Sequence, residues 1–239
     1  MNKKLKIALC IILALAILVA GIGIWYVNDY LHADEDAKAL LNGTSNVSVV
    51  KINDGLFLDG PGKDTALIFY PGAKVEYTAY LPLLMNLSAG GVDCFLVEMP
   101  FNLAFLGVDK ADDMINNDSY HYDKWYLSGH SLGGVMASNY ARDHGDNVDG
   151  VVLLASYLTD NLNTSVLSIY GSNDKVLNME AYNDAKKYLP KNYTEYVIDG
   201  GNHAQFGSYG IQPKDGVANI SDYQQKKETI DSILDFVNQ

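Results

Sequence analysis

The chain has 239 residues, of which 48% are hydrophobic and 19% are charged, so it can form one globular domain of ordinary size plus an additional segment. Its formal net charge is -12 at pH 7, and Arg142 is its single arginine. Such a charge repels nucleic acid and anionic lipid, and one guanidinium cannot form a phosphate-binding cluster. We therefore expect no nucleic-acid partner.

The first feature along the chain is an apolar segment from Ile7 to Val27 that contains no charged residue. Its length matches the hydrocarbon core of a bilayer at about 1.5 Å per residue. Lys3, Lys4 and Lys6 precede it, and acidic residues follow it from Asp29 onward. The positive-inside bias then predicts a single-pass cell-membrane anchor over residues 1–28, with the remaining chain extracellular.

A cleaved signal peptide is the alternative for this segment. We favour an uncleaved anchor, because a signal h-region is normally shorter and Trp25 and Tyr26 are typical of an interfacial belt. Cys10 lies inside the segment and Cys94 lies in the remaining chain, so the two cannot pair. We expect a domain without a disulfide.

After the apolar segment, residues 29–45 are polar and acidic and predict a stalk, and residues 46–239 predict one domain. In that domain, apolar runs typical of strands alternate with helix-like runs. Strands are predicted over 47–52, 56–58, 66–70, 94–97, 124–127, 151–155, 166–170 and 193–198. Helices are predicted over 77–87, 110–115, 132–143, 179–188 and 223–237. Apolar strands that alternate with helices predict an α/β fold with a mostly parallel sheet covered on both faces.

The most informative motif is Gly129-His130-Ser131-Leu132-Gly133, which directly follows a predicted strand and opens a predicted helix. A serine on a sharp turn from strand to helix needs glycine neighbours, because the two elements nearly touch there. The motif therefore predicts a nucleophile elbow, in which the Leu132 amide can donate to a developing oxyanion.

In parallel sheets the active groups lie on loops at the carboxyl ends of strands. Asp174 follows the predicted strand 166–170, and His203 follows 193–198. With Ser131 these residues give the order Ser, Asp, His, which differs from the order in two other common serine triads. Asp160 competes with Asp174. His130 competes with His203, but its position directly before Ser131 predicts that it points away from the exposed side of the nucleophile.

From about Asn46 to its end the chain resembles an α/β-hydrolase, and it is most similar to the lidless, dienelactone-hydrolase-like bacterial members of that family. The stretches that carry the resemblance are Phe69 to Val75, Glu98 to Phe105, Gly129 to Gly134, Tyr170 to Asp174 and Gly200 to Gly207. One departure is Tyr70-Pro71-Gly72, where many relatives read His-Gly.

The resemblance implies a catalytic triad of Ser131, Asp174 and His203, with oxyanion amides at Ala73 and Leu132. It also implies an acyl-enzyme mechanism that needs no metal and no organic cofactor. Phe101 and Gln205 are candidate substrate contacts. The partner expected for such a site is a small-molecule acyl substrate, and the sequence leaves the oligomeric state undetermined.

The segment from Ser156 to Ser165 is short, whereas many lipases insert a helical lid at this point. A lidless cleft favours small or exposed esters, thioesters or lactones. We therefore expect a serine hydrolase, with a carboxylic ester as the substrate class. Two alternatives stay open, namely a catalytically silent binding protein with this fold and an acyltransferase that uses the same triad.

Overall fold

The computed structural model describes residues 2–239. The chain divides into two compact units, and the boundary along the chain lies between Tyr30 and Leu31. The first unit consists of the helix α1 (Lys3–Asn28), whose N-terminus is capped by the side chain of Asn2. In the described part of the chain, α1 is the one helix long and apolar enough to cross a membrane. A signal sequence near the N-terminus meets the same criteria of length and composition.

The second unit is built around one eight-stranded sheet with the strand order β1-β2-β4-β3-β5-β6-β7-β8. The strands are β1 (Ser48–Ile52), β2 (Gly55–Asp59), β3 (Thr65–Tyr70), β4 (Asp93–Val97), β5 (Lys124–His130), β6 (Gly150–Leu154), β7 (Ser165–Gly171) and β8 (Tyr193–Ile198). The six neighbouring strands β4, β3, β5, β6, β7 and β8 pair in parallel. At one edge of the sheet, β2 pairs antiparallel with β4, and β1 pairs antiparallel with β2. The predicted α/β fold with a mostly parallel sheet is confirmed.

Helices cover both faces of the sheet. They are α2 (Glu35–Ala39), α3 (Leu81–Ala89), α4 (Asp112–Ile115), α5 (Leu132–Asp143), α6 (Met179–Ala185) and α7 (Asp222–Val237). Successive residues of one strand point to opposite faces, so Phe69 packs in the cluster that includes Phe236 of α7. Its neighbour Tyr70 packs in the second cluster, which includes Tyr140 of α5. The two hydrophobic clusters hold the sheet between two helical layers.

The segment that we expected to be a stalk differs from that expectation. Residues 31–45 belong to the second compact unit, and Ala33 and Ala37 are buried in its core. The Leu31 amide donates to the carbonyl of Lys74 at 2.7 Å, and the Glu76 amide donates to the Leu31 carbonyl at 2.8 Å. The globular unit therefore begins at Leu31 rather than at Asn46.

Candidate active site

Ser131 lies at the sharp turn between β5 and α5, with φ 53° and ψ -124°. A non-glycine residue in such a conformation is strained and is concentrated at functional sites. The strand and helix approach so closely that a Cβ on Gly129 would lie 2.4 Å from the backbone carbon of Gly133. A Cβ on Gly133 would lie 2.1 Å from the carbonyl oxygen of Tyr70. Gly129 and Gly133 thus permit the close approach of strand and helix that the turn at Ser131 requires.

Asp174 and His203 form a buried pair on the loops that follow β7 and β8. Oδ2 of Asp174 lies 2.8 Å from Nδ1 of His203, and both side chains are almost fully excluded from solvent. The second oxygen of Asp174 accepts hydrogen bonds from the amides of Val176 and Leu177, both at 2.8 Å. These bonds fix the carboxylate, so that it accepts the Nδ1 proton of the imidazole and leaves Nε2 free for other chemistry.

Ser131 and His203 line the same cavity, whose volume is about 220 Å³. Its wall also includes Leu132, Tyr157, Leu177 and Asn178. The structure thus brings Ser131, His203 and Leu132 to one cavity at the carboxyl edge of the sheet. The competing Asp160 is exposed, and its Oδ2 lies 3.8 Å from the Arg142 guanidinium instead.

The two amides predicted for the oxyanion hole belong to Ala73, which follows β3, and to Leu132, at the N-terminus of α5. Among residues 2–239, neither amide donates a hydrogen bond to another group of the protein. The first turn of α5 packs directly on the end of β3, because a Cβ on Gly133 would meet the carbonyl oxygens of Tyr70 and Pro71. The unpaired Leu132 amide directly follows the strained serine and lines the same cavity, so it can stabilise negative charge there.

His130, which competed with His203 as the base, is buried next to His203. Its ring centroid lies 4.4 Å from that of His203, and its Nδ1 lies 2.8 Å from the hydroxyl of Tyr80. The same hydroxyl oxygen accepts a hydrogen bond from the Gly72 amide at 3.1 Å, and we assign the hydroxyl proton to the bond with Nδ1 of His130.

Burial, together with the proximity of His203, lowers the pKa of His130 well below its usual value, and burial raises the pKa of Tyr80. Both side chains are therefore neutral at physiological pH. No local sequence pattern predicts this pair, since neither residue carries a motif of its own for the contact.

The two predicted substrate contacts do not line the cavity that contains Ser131. Phe101 is 62% exposed with φ 54°. It lies on a turn next to residues 71–75, which follow β3 and are here called the oxyanion loop after their predicted role. There the Lys74 amide donates to the Asn102 carbonyl at 2.8 Å. Gln205 lines a different cavity of about 540 Å³, and its amide nitrogen lies 3.3 Å from the Ile220 carbonyl oxygen. Gln205 thus lies outside the lining of the cavity that Ser131 and His203 share.

Solved structures of hydrolases share this architecture. An esterase of Pyrobaculum calidifontis aligns with a TM-score of 0.60 and 16% identity over 84% of this chain and 87% of its own. Est1E of Butyrivibrio proteoclasticus aligns with a TM-score of 0.58 and 14% identity over 82% and 100%. A dienelactone hydrolase of Anabaena variabilis aligns with a TM-score of 0.56 and 16% identity over 79% and 96%. At these identities the likeness shows the fold alone.

The sequence itself identifies the family. None of the curated protein sequences matches this chain. A family model described as the alpha/beta hydrolase family matches residues 66–227, which include the elbow, the buried acid and the buried histidine. Because this match spans well over half of the chain, the protein belongs to the alpha/beta hydrolase family.

Proposed function

We propose that the protein is a serine hydrolase in which Ser131 is the nucleophile, His203 the general base and Asp174 the residue that orients the base. The observation that carries the proposal is the buried Asp174–His203 hydrogen bond at the wall of the cavity that Ser131 also lines. A nucleophile, a base and an acid in this relation are the arrangement that nucleophilic acyl transfer needs.

The proposed reaction begins when Nε2 of His203 takes the proton from the Ser131 hydroxyl as Oγ attacks an acyl carbonyl. The oxyanion then forms beside the amides of Ala73 and Leu132, each of which contributes on the order of 3 kcal/mol in comparable sites. His203 returns the proton to the departing alcohol or thiol, which leaves an acyl-serine. A water molecule, deprotonated by His203, attacks this ester and releases the acid and the free serine.

The proposed substrates are small or exposed esters, thioesters or lactones. A cavity of about 220 Å³ is smaller than the roughly 300 to 1,000 Å³ of pockets that enclose drug-sized ligands. In addition, the described connection between β6 and β7 contains no helix that could cover the site. The esterase and dienelactone hydrolase folds among the similar structures agree with this substrate class.

We also propose that α1 anchors the protein in a bacterial cell membrane, with the N-terminus in the cytoplasm and the hydrolase unit outside. The lysines before α1 and the acidic residues after it support this orientation. Intact mass of the mature protein distinguishes an anchor from a cleaved signal. Protease treatment of intact cells tests the orientation, since digestion only after lysis would contradict it.

The catalytic proposal is tested with the full-length protein in mild detergent. We expect it to hydrolyse short p-nitrophenyl esters faster than long ones and to be labelled by a fluorophosphonate at Ser131. Ser131→Ala abolishes both, whereas Ser119→Ala, at an exposed serine, changes neither. Labelling without hydrolysis would favour an acyltransferase. A folded protein that shows neither would overturn the proposal in favour of a silent binding protein.

A further inference from the structure

The loop formed by residues 212–219, here called the clasp loop, crosses the two loops that carry the proposed acid and base. Oδ2 of Asp215 in the clasp loop accepts a hydrogen bond from the Ala204 amide at 2.9 Å. Its Oδ1 accepts from the Lys175 amide at 3.3 Å. Ala204 directly follows His203, and Lys175 directly follows Asp174. A single carboxylate thus connects the backbone next to the base with the backbone next to the acid.

Further contacts of the clasp loop lie on the other side of the same two residues. The side-chain amide of Asn202 donates to the Gly216 carbonyl at 2.8 Å, and that of Asn173 donates to the Val217 carbonyl at 3.0 Å. Gly216 packs so closely that a Cβ there would lie 1.8 Å from the carbonyl oxygen of Asn173. The clasp loop therefore contacts the chain immediately before and immediately after both members of the pair.

A simple turn does not account for this arrangement. Asp215 does take part in a local turn, since its Oδ1 accepts from the Gly216 amide at 2.7 Å and its own amide lies 3.2 Å from the Gln212 carbonyl. However, the Ala204 and Lys175 amides are 11 and 40 positions away in the chain. Bonds to such distant groups fix tertiary geometry and not the turn itself.

We propose that Asp215 is a positioning residue that holds the Asp174 loop and the His203 loop at a fixed separation, and this proposal rests on the proposed function. The chemistry favours a carboxylate at this position, because two acceptor oxygens meet three amide donors and an ionised acceptor makes the stronger bonds. A displacement of about 1 Å in a catalytic group can reduce the rate by about 100-fold. A connection between the two loops therefore bears directly on the acylation rate.

The experiment compares Asp215→Asn and Asp215→Ala with Asp199→Asn in the full-length protein. Asp199 is a matched control, because it is an exposed aspartate near the same loops whose carboxylate contacts the Ser172 hydroxyl at 3.3 Å. Hydrogen exchange measured by mass spectrometry reports whether the clasp loop protects the Lys175 and Ala204 amides, and it does not require enzymatic activity. We expect the peptides that contain Lys175 and Ala204 to exchange about tenfold faster in the Asp215 variants, and at the wild-type rate in Asp199→Asn.

The second readout is the rate of fluorophosphonate labelling together with kcat and KM for a short ester. We expect labelling and kcat to fall about 10- to 100-fold in the Asp215 variants with KM little changed, because alignment and not binding is lost. Thermal unfolding identifies a variant that fails to fold. If Asp215→Ala fails to fold, the milder change Asp215→Asn is used for the comparison.

Two results would overturn the inference. One is that both peptides exchange at the wild-type rate in folded Asp215→Ala. The other is that the peptides exchange faster in the Asp215 variants while the labelling rate and kcat stay at the wild-type values. If the wild-type protein neither labels nor turns over, the proposed function fails, and the exchange measurement still decides whether Asp215 connects the two loops.

Discussion

The hydroxyl of Tyr80 lies 2.8 Å from Nδ1 of His130 and connects the oxyanion loop to the residue that precedes the proposed nucleophile. Because the same oxygen accepts from the Gly72 amide, removal of the hydroxyl leaves a buried donor and a buried acceptor without partners. The contact joins two segments that are 50 positions apart in the chain.

We expect Tyr80→Phe to lower the free energy of unfolding by about 1 to 3 kcal/mol, since the Gly72 amide loses its acceptor. Labelling of Ser131 should also slow, because Gly72 directly precedes the proposed oxyanion donor Ala73. Chemical denaturation and labelling rates measure the two effects. Tyr223→Phe, at a tyrosine that is 75% exposed, is the control. Equal stability of the two variants would show that the Tyr80 hydroxyl contributes nothing.

The neutral state of His130 predicts a pH dependence of stability. Its pKa is lowered in the folded protein by burial and by His203, so below about pH 6.5 the unfolded chain binds a proton that the folded protein does not. Stability is then lost as the pH falls. Between pH 7.5 and 5.5 this one group should lower the free energy of unfolding by about 1.4 kcal/mol.

Denaturant unfolding at these two pH values checks this prediction. His130→Asn retains an acceptor close to the position of Nδ1 but does not titrate, so its stability should depend less on pH by about the same 1.4 kcal/mol. The groups that face His130 are Tyr80, His203 and Phe206. An unchanged pH dependence in the variant would mean that folding does not lower the pKa of His130.

We expect Asp174→Asn to reduce kcat by about four orders of magnitude if the triad acts as proposed. The amide retains the shape of the side chain but replaces one acceptor oxygen with a donor, which opposes the imidazole tautomer that the reaction needs. Ester hydrolysis measures the effect, and Asp160→Asn is the matched control at the competing aspartate. A loss within tenfold of the control would remove Asp174 from the mechanism.

The close contact of α5 with β3 predicts that Gly133→Ala is strongly destabilising. The new Cβ would lie 2.1 Å and 2.4 Å from the carbonyl oxygens of Tyr70 and Pro71, so the elbow must open. Gly145→Ala is the control, because a Cβ at that position has no atom within 4 Å. Thermal unfolding should separate the two variants clearly, and similar melting temperatures would contradict the contact.

Local patterns predicted most of the sheet and helices. The predicted helix 132–143 and strand 193–198 have the same bounds as α5 and β8. The predicted helix 77–87 is instead a 3-10 helix, Tyr77–Tyr80, followed by α3. Pro82 lies in the first turn of α3, where its missing amide proton is tolerated, and this explains why the α-helix starts at Leu81.

The parts that the sequence did not predict depend on contacts between distant segments. Residues 31–45 look like a stalk because they are acidic, yet the small residues Ala33 and Ala37 are buried. Asp215 lies between Lys214 and Gly216 in a short turn, and its bonds to Lys175 and Ala204 have no local signature in the sequence. A motif can indicate which groups react, whereas the groups that hold them in place are defined only by the tertiary structure.

The pairing of Leu31 with the backbone of Lys74 and Glu76 determines where a recombinant fragment of the hydrolase unit can start. These bonds hold the chain that directly follows Ala73. A fragment that begins at Ala33 loses these bonds, so the Glu76 amide lacks the Leu31 carbonyl that accepts its hydrogen bond. A fragment for crystallisation therefore has to retain Leu31 when the apolar helix that precedes it is removed.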